Sequence, residues 1–205
     1  MKRYFFQKLF LFGFVLLGLS ACSSTPTTEA RYFSLTPIQT TEIIPAVATD
    51  LSLGIGPVEI PRMLNRPQII YRKNNNEILL SEQNQWAGSL REEIQGILIE
   101  RAMQVSGSQA IMHYPWARDL RPEFEARIRI DRLDGELGKE IILEAHWDLL
   151  TQKDKRLITS RKSRHQINLE SNDFLSYVVA QQAALTKLAD EIVAEVISFQ
   201  SLDKH

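Results

Sequence analysis

The sequence is poor in the residue types that build most catalytic and metal sites. Among 205 residues there is one cysteine, Cys22, and none of the four histidines stands three to five residues from another. A single thiol excludes an intramolecular disulfide, and isolated histidines give little support for a metal site. No Gly-x-Ser-x-Gly elbow is present, and Gly54-Ile55-Gly56 lacks the third glycine of a phosphate-binding loop. We therefore expect no enzyme activity, no cofactor and no bound metal.

Neither sign of charge is in excess, and no apolar run is long enough to span a bilayer. The net charge is −1, and loss of residues 1–21, which carry three cations and no acid, would make it −4. A mildly acidic body disfavours nucleic-acid binding through the phosphate backbone. The apolar run at residues 9–19 is 11 residues long, whereas a spanning helix needs about 20.

The N-terminus instead has the pattern of a cleaved secretory signal. Lys2, Arg3 and Lys8 precede the apolar run, and small residues follow it. Leu19-Ser20-Ala21-Cys22 resembles the bacterial lipobox, in which the cysteine is acylated and becomes the mature N-terminus. The alternative is an ordinary signal peptide followed by an unpaired thiol. We predict a lipidated Cys22.

Acylation would fix the protein to a membrane. A lipoprotein cysteine carries a diacylglycerol and an amide-linked acyl chain such as palmitate, and each buried methylene contributes about 0.8 kcal/mol. Ser23 stands where aspartate would signal retention in the inner membrane, so we expect the outer membrane, with the body facing the periplasm. Residues 23–29 are polar and read as a tether of at most about 25 Å. The predicted organisation is a signal peptide at 1–21, a lipidated tether at 22–30 and a single domain at 31–205.

Periodicity predicts strands and two helices in that domain. Apolar and polar residues alternate most clearly over residues 123–133 and 141–149. Helical spacing covers residues 86–105, ended by Gly107, and a segment that begins after Asp173 and reaches about Gln200, with Leu175 in its apolar stripe. Further strands are predicted at residues 31–36, 51–60, 68–73, 77–81 and 157–169, with a short apolar piece at 110–112. The fold class is therefore α+β, an antiparallel sheet with two amphipathic helices on one face.

Several polar features have both a functional and a structural interpretation. The basic run at residues 161–165 fits either anionic headgroups or an edge strand guarded by charge. Ser171 and Asp173, near His165 in sequence, are explained by helix capping. His113 and His146 are interpreted as solvent-facing or hydrogen-bonded structural residues.

Short motifs along most of the mature chain occur in the same order as in a known protein family. They resemble the PqiC family of ABC-type transport auxiliary lipoproteins at Tyr32-Phe33-Ser34-Leu35, Gly56-Pro57-Val58, Pro61, Asn65-Arg66-Pro67-Gln68-Ile69-Ile70, Trp86-Ala87, Leu90, Arg118-Asp119-Leu120-Arg121-Pro122, Leu133-Asp134-Gly135-Glu136 and Leu143-Glu144-Ala145-His146-Trp147.

The resemblance implies a role in lipid transport. Such a lipoprotein would work with an inner-membrane-anchored MCE-domain protein in a route for phospholipids across the periplasm, and would support envelope integrity. It would dock the tunnel formed by the MCE-domain protein to the outer membrane without catalysis. It would do so as a single copy or as a homo-oligomer. The alternative is a stand-alone lipoprotein that binds or assembles lipid or lipopolysaccharide. A periplasmic hydrolase is a third reading, and the missing nucleophile motif counts against it.

Three residues are candidates for contacts outside the chain. Arg66 precedes a proline, which favours an extended backbone, so it could reach a partner or pair internally with an acid. Trp86 fits a core anchor better than an interface residue. Trp116, in a proline-bounded loop, is the better candidate for a partner contact, and a bilayer-interface role also remains open.

Overall fold

The computed structural model describes residues 29–37, 51–117 and 119–203, so Cys22 and the predicted signal peptide lie outside the described residues. The described residues form eight strands and two helices in the predicted order. The strands are β1 (Arg31–Phe33), β2 (Leu53–Glu59), β3 (Gln68–Arg72), β4 (Ile78–Trp86), β5 (Ile111–His113), β6 (Phe124–Glu136), β7 (Glu140–Thr151) and β8 (Leu157–Asn168). The helices are α1 (Leu90–Ser106), between β4 and β5, and α2 (Phe174–Asp203), after β8.

All eight strands belong to one sheet built around β6. One edge of β6 pairs antiparallel with β7, which pairs with β8. Its other edge is shared by two parallel neighbours, β2 along its first half and β3 at its last residue. Strand β5 continues the sheet beyond β2, whereas β4 and β1 continue it beyond β3.

The helices cover the apolar face of this sheet and contact each other. Helix α1 packs on β2 and β5, and α2 packs on β6, β7 and β8. The alternation predicted for β6 is confirmed over residues 126–130: Ala126, Ile128 and Ile130 are buried, while Arg127 and Arg129 are exposed. Glu125, on the polar face of the pattern, is buried instead. Helix α1 ends where Gly107 adopts a φ of 69° and its N–H donates to the Met103 carbonyl, the left-handed cap that the sequence predicted.

The α+β class is confirmed, and the sheet is mixed rather than wholly antiparallel. Strands β2 and β3 run parallel to β6. This is possible because α1 and β5 lie between them and β6 in the chain, and this connection brings the chain back so that β6 begins beside the start of β2. Alternation reports which face of a strand is buried and carries no information on its direction.

Two local expectations were wrong. Trp86 ends β4 instead of opening α1, since its N–H donates to the Pro67 carbonyl at 2.7 Å and the helix begins only at Leu90. Leu175 is 60% exposed and does not belong to the buried stripe of α2. Its neighbours Phe174 and Tyr177 pack inward instead, so Leu175 points outward on the first turn.

The molecule has two distinct ends because α2 runs antiparallel to β6. At one end, Tyr177 on the first turn of α2 accepts a hydrogen bond from Gly135, near the end of β6. At the other end, Phe199 of α2 packs edge-on against Phe124, where β6 begins, with ring centroids 5.9 Å apart. Since β6 has 13 residues, the two ends are separated by about 40 Å.

Strand β1 lies at the end where α2 begins. The Phe33 ring is 6.4 Å from that of Phe174, the first residue of α2. Residue 31, where the predicted tether ends, is therefore at this end, which we call the tether end. The opposite end, where β6 begins, is called the far end.

Candidate functional site

A groove runs along the outer edge of β2, between that strand and the first turn of α1. It consists of two neighbouring clefts of about 290 and 300 Å³ that share Val58 and Arg91. The first cleft is also lined by Pro57, Glu92, Gln95, His113, Tyr114 and Pro115, and the second by Glu59, Ile60 and Asn65. We call these residues together the β2 groove.

The groove exists because β2 bulges after its third residue. The register to β6 shifts between Ile55 and Val58, and Gly56 has a φ of 119°, which favours glycine. The buried amide of Gln95 holds this region to α1, since its Nε2 donates to the carbonyls of Ile55 at 2.7 Å and Tyr114 at 3.3 Å. Gly56 and Pro57 therefore lie in a bulge of β2.

The two predicted contact residues flank this groove. At one end Trp116 meets the Tyr114 ring edge-on, with centroids 5.2 Å apart, and its own ring lies over Gly54, where a Cβ would come within 2.6 Å of it. At the other end Arg66 follows Asn65. Trp116 is half-buried and Arg66 is exposed. The two residues lie next in sequence to groove residues, Pro115 and Asn65, at its opposite ends.

The cations at this groove are without acidic partners among the described residues. Arg66 and Arg91 are both exposed, and neither makes an ion pair with any residue in the described ranges. The internal pairing considered for Arg66 therefore has no acceptor in the part of the chain that the structure describes. Arg91 was not singled out in the sequence, because its position beside β2 depends on how α1 packs.

A buried carboxylate lies next to Trp116. Glu125 accepts hydrogen bonds from Arg127 at 2.7 Å, Lys155 at 2.9 Å and Gln152 at 2.6 Å. Burial alone would raise the pKa of Glu125, but the hydrogen bonds from Arg127 and Lys155 outweigh it and hold the pKa below its ordinary value. These residues line a further cleft with Trp116 and Tyr114. At the far end, hydrogen-bonded charged side chains therefore lie beside two aromatic rings.

Of the remaining candidates, Trp86, His146 and Asp173 have structural roles. Trp86 is 5% exposed and belongs to the core. His146 is held by Asp131 at 2.5 Å, while His113 is exposed at the groove. Asp173 caps α2 by accepting a hydrogen bond from the Ser176 N–H at 2.8 Å, as predicted.

The basic run lies on β8, which among the described strands pairs with β7 alone and is therefore an edge strand of the described sheet. Arg161 and Arg164 pair with Glu195 and Glu144, at 3.0 and 3.3 Å. The charged-edge interpretation of this run therefore agrees with its position.

The groups at the β2 groove are those of a surface that contacts another molecule. Across residues 29–37, 51–117 and 119–203 no group of three or more acidic, histidine or cysteine side chains could hold a metal ion. Within the same ranges, no helix has both the length and the apolarity needed to cross a membrane. The β2 groove offers arginine, glutamate, aromatic and backbone groups, which are the components of a recognition surface.

Solved structures with this architecture define the class of fold. One is the crystal structure of an uncharacterized protein, with a TM-score of 0.67 at 14% identity over 82% of this chain and 99% of that one. Another is protein XCC0632 from Xanthomonas campestris, of the DUF330 family, with a TM-score of 0.67 at 17% identity over 85% and 99%. At these identities the likeness shows a shared α+β fold. No curated protein matches the chain.

A family model identifies the chain more specifically. The model described as "ABC-type transport auxiliary lipoprotein component" matches residues 33–193. The protein therefore belongs to this family, the PqiC-like lipoproteins. The family resemblance seen in the motifs is confirmed.

Proposed function

We propose that the protein is the outer-membrane lipoprotein subunit of a periplasm-spanning phospholipid transport system. It is held to the membrane by acylated Cys22 and docks an MCE-domain protein that is anchored in the inner membrane. Its role is to fix the transport route at the outer membrane and to support envelope integrity, without catalysis. Membership of the transport auxiliary lipoprotein family supports this role.

The observation that carries the docking role is the position of Trp116 relative to the tether. Eight residues separate Cys22 from Arg31, so the tether end stays within about 28 Å of the lipid surface. Trp116 packs on Gly54, which pairs with Glu125 at the start of β6, so Trp116 lies at the far end. A partner that approaches from the inner membrane meets this end, and a bilayer role for Trp116 is disfavoured.

The stand-alone carrier remains the second candidate, but no specific observation favours it. An acyl chain needs an apolar cavity, whereas each of the clefts at the β2 groove and beside Trp116 has charged side chains in its lining. The cleft between β8 and α2, of about 430 Å³, is similar, with Arg161, Lys162, Glu191 and Glu195 around it.

Crosslinking in intact cells tests the docking role. The tagged full-length protein is crosslinked, purified and analysed by mass spectrometry. We expect an MCE-domain protein as the dominant, stoichiometric partner. Recovery of bound lipid with no protein partner would favour the stand-alone carrier instead.

Fractionation of a Cys22→Ala variant tests the anchor. We expect an unprocessed or mislocalised protein, because no acyl chain can be attached. A Ser24→Ala variant, which keeps the cysteine and its neighbours, is the matched control and should fractionate with the outer membrane. Normal outer-membrane fractionation of Cys22→Ala would rule out lipidation as the anchor.

A further inference from the structure

We propose that the β2 groove binds an extended, acid-bearing segment of the partner protein, which adds to the sheet as a further strand beside Val58 and Ile60. This inference rests on the proposed docking function and specifies its contact. In such strand addition, main-chain hydrogen bonds give affinity and side-chain contacts give selectivity.

The sheet has an open edge at this point because β5 is short. Strand β5 pairs with Leu53, Gly54 and Ile55 and then ends at His113. Val58 and Glu59 pair with β6 on one side, and on the other side no described residue pairs with them. The groove occupies the position that a longer β5 would fill.

The register identifies which backbone groups face that open side. Leu53 and Ile55 direct their groups to the β5 side, since the Leu53 N–H donates to Ala110 at 3.2 Å and the Ile55 carbonyl accepts from Tyr114 at 3.3 Å. The bulge adds one residue, so Val58 takes the next position in this series, and its side chain is buried as theirs are. Because backbone groups alternate along a strand, Val58 and Ile60 present an N–H and a C=O to the groove.

The one charged side chain that both clefts share favours an acid on the added segment. Arg91 lines both clefts and makes no ion pair with any described residue, whereas Glu59 and Glu92 each line one cleft. Exposed Arg66 follows Asn65 at the groove's end. An acid on the added segment would pair with Arg91. A second copy of this chain suits the groove less well, because β8, a free edge strand, would bring Arg161, Lys162 and Arg164 toward Arg91.

Amide hydrogen exchange tests the strand addition directly. Between Pro57 and Pro61 only Val58, Glu59 and Ile60 carry amide protons, so one short peptide reports on the edge. Exchange is measured by mass spectrometry on the full-length protein alone and in the complex purified from cells. We expect two of the three amides to slow by at least about fivefold, the effect of one net hydrogen bond. Exchange over residues 161–164 of β8 should not change.

Charge reversal tests the acidic character of the segment. Arg91→Glu should reduce recovery of the partner by at least about tenfold, because like charges brought together at an interface are strongly unfavourable. The variant should fold, since an acid in the first turn of a helix is favourable. Lys162→Glu, an exposed cation on β8 without an ion pair among the described residues, is the matched control and should leave recovery unchanged.

The outcomes separate this inference from the docking function. A recovered complex in which the exchange of residues 58–60 is unchanged would overturn strand addition and leave docking in place. Protection of these amides by a second copy of the chain, without the partner, would also overturn it. If no protein partner is recovered at all, both the docking function and the strand addition fail.

Discussion

Asp134 joins the two parts of the sheet, and its removal should be among the most destabilising substitutions of a buried polar residue. Its side chain is 3% exposed and accepts hydrogen bonds from Arg72 at 2.6 and 3.1 Å and from Arg132 at 2.8 Å. Strands β3 and β6 pair at one register position only, Arg72 with Glu136. The carboxylate therefore ties β3 to β6 where backbone pairing is minimal.

Replacement of Asp134 by alanine would leave two arginines without their acceptor. Breaking a buried ion pair costs about 3–5 kcal/mol, and the arginine side chains are 16% and 24% exposed, so hydration recovers part of the loss. We expect the free energy of unfolding to fall by about 3 kcal/mol, out of a total of about 5–15 kcal/mol for a domain.

Urea unfolding followed by tryptophan fluorescence measures this change, since Trp86 and Trp147 are buried. Asp148→Ala is the matched control: this carboxylate on β7 accepts one hydrogen bond from Ser160 at 2.6 Å, and we expect a loss below about 1 kcal/mol. Arg72→Ala combined with Asp134→Ala should cost less than the sum of the single changes, because the two groups interact. Equal losses for Asp134→Ala and Asp148→Ala would refute the reasoning.

Three further predictions address the core, pH and helix capping. Ile128→Asp should unfold the body, because Ile128 is 2% exposed and an unpaired buried charge costs several kcal/mol; an unchanged melting temperature by circular dichroism would mean that the strand faces are wrongly assigned. Because the folded-state pKa of Glu125 is lowered from 4.5, its contribution to stability is present at neutral pH and is lost as the pH falls from about 4.5 through that lowered pKa. Glu125→Gln should therefore flatten the acid limb of stability against pH, and an identical acid limb would contradict this. Asp173→Ala should lower the free energy of unfolding by about 1 kcal/mol through loss of the α2 cap, and an unchanged thermal transition would show that the cap contributes nothing.

The sequence predicted most of the elements because their patterns are local. Alternation placed β6 and β7, and helical spacing with Gly107 placed α1 to within a few residues at its C-terminus. The error at Trp86 has a local cause too, since an apolar residue four positions before Leu90 fits helical spacing as well as it fits a strand end. Nothing in the periodicity indicates that the Trp86 N–H bonds to Pro67.

The candidate site was predictable only in part. Arg66 and Trp116 stood out through their neighbouring prolines, yet their common groove depends on the bulge at Gly56 and on the packing of α1. Arg91 could not be recognised for the same reason, because its role follows from which side of α1 faces β2. The direction of β2 and β3 relative to β6 is likewise set by long-range pairing.

The central claim is that one end of the molecule faces the membrane and the other faces a protein partner. Placing a photo-crosslinking residue at Leu175, 60% exposed at the tether end, or at Trp116, at the far end, tests it in intact cells. We predict that the probe at position 116 captures the MCE-domain protein and that the probe at position 175 captures lipid. Capture of the protein partner from position 175, or of lipid from position 116, would contradict the account.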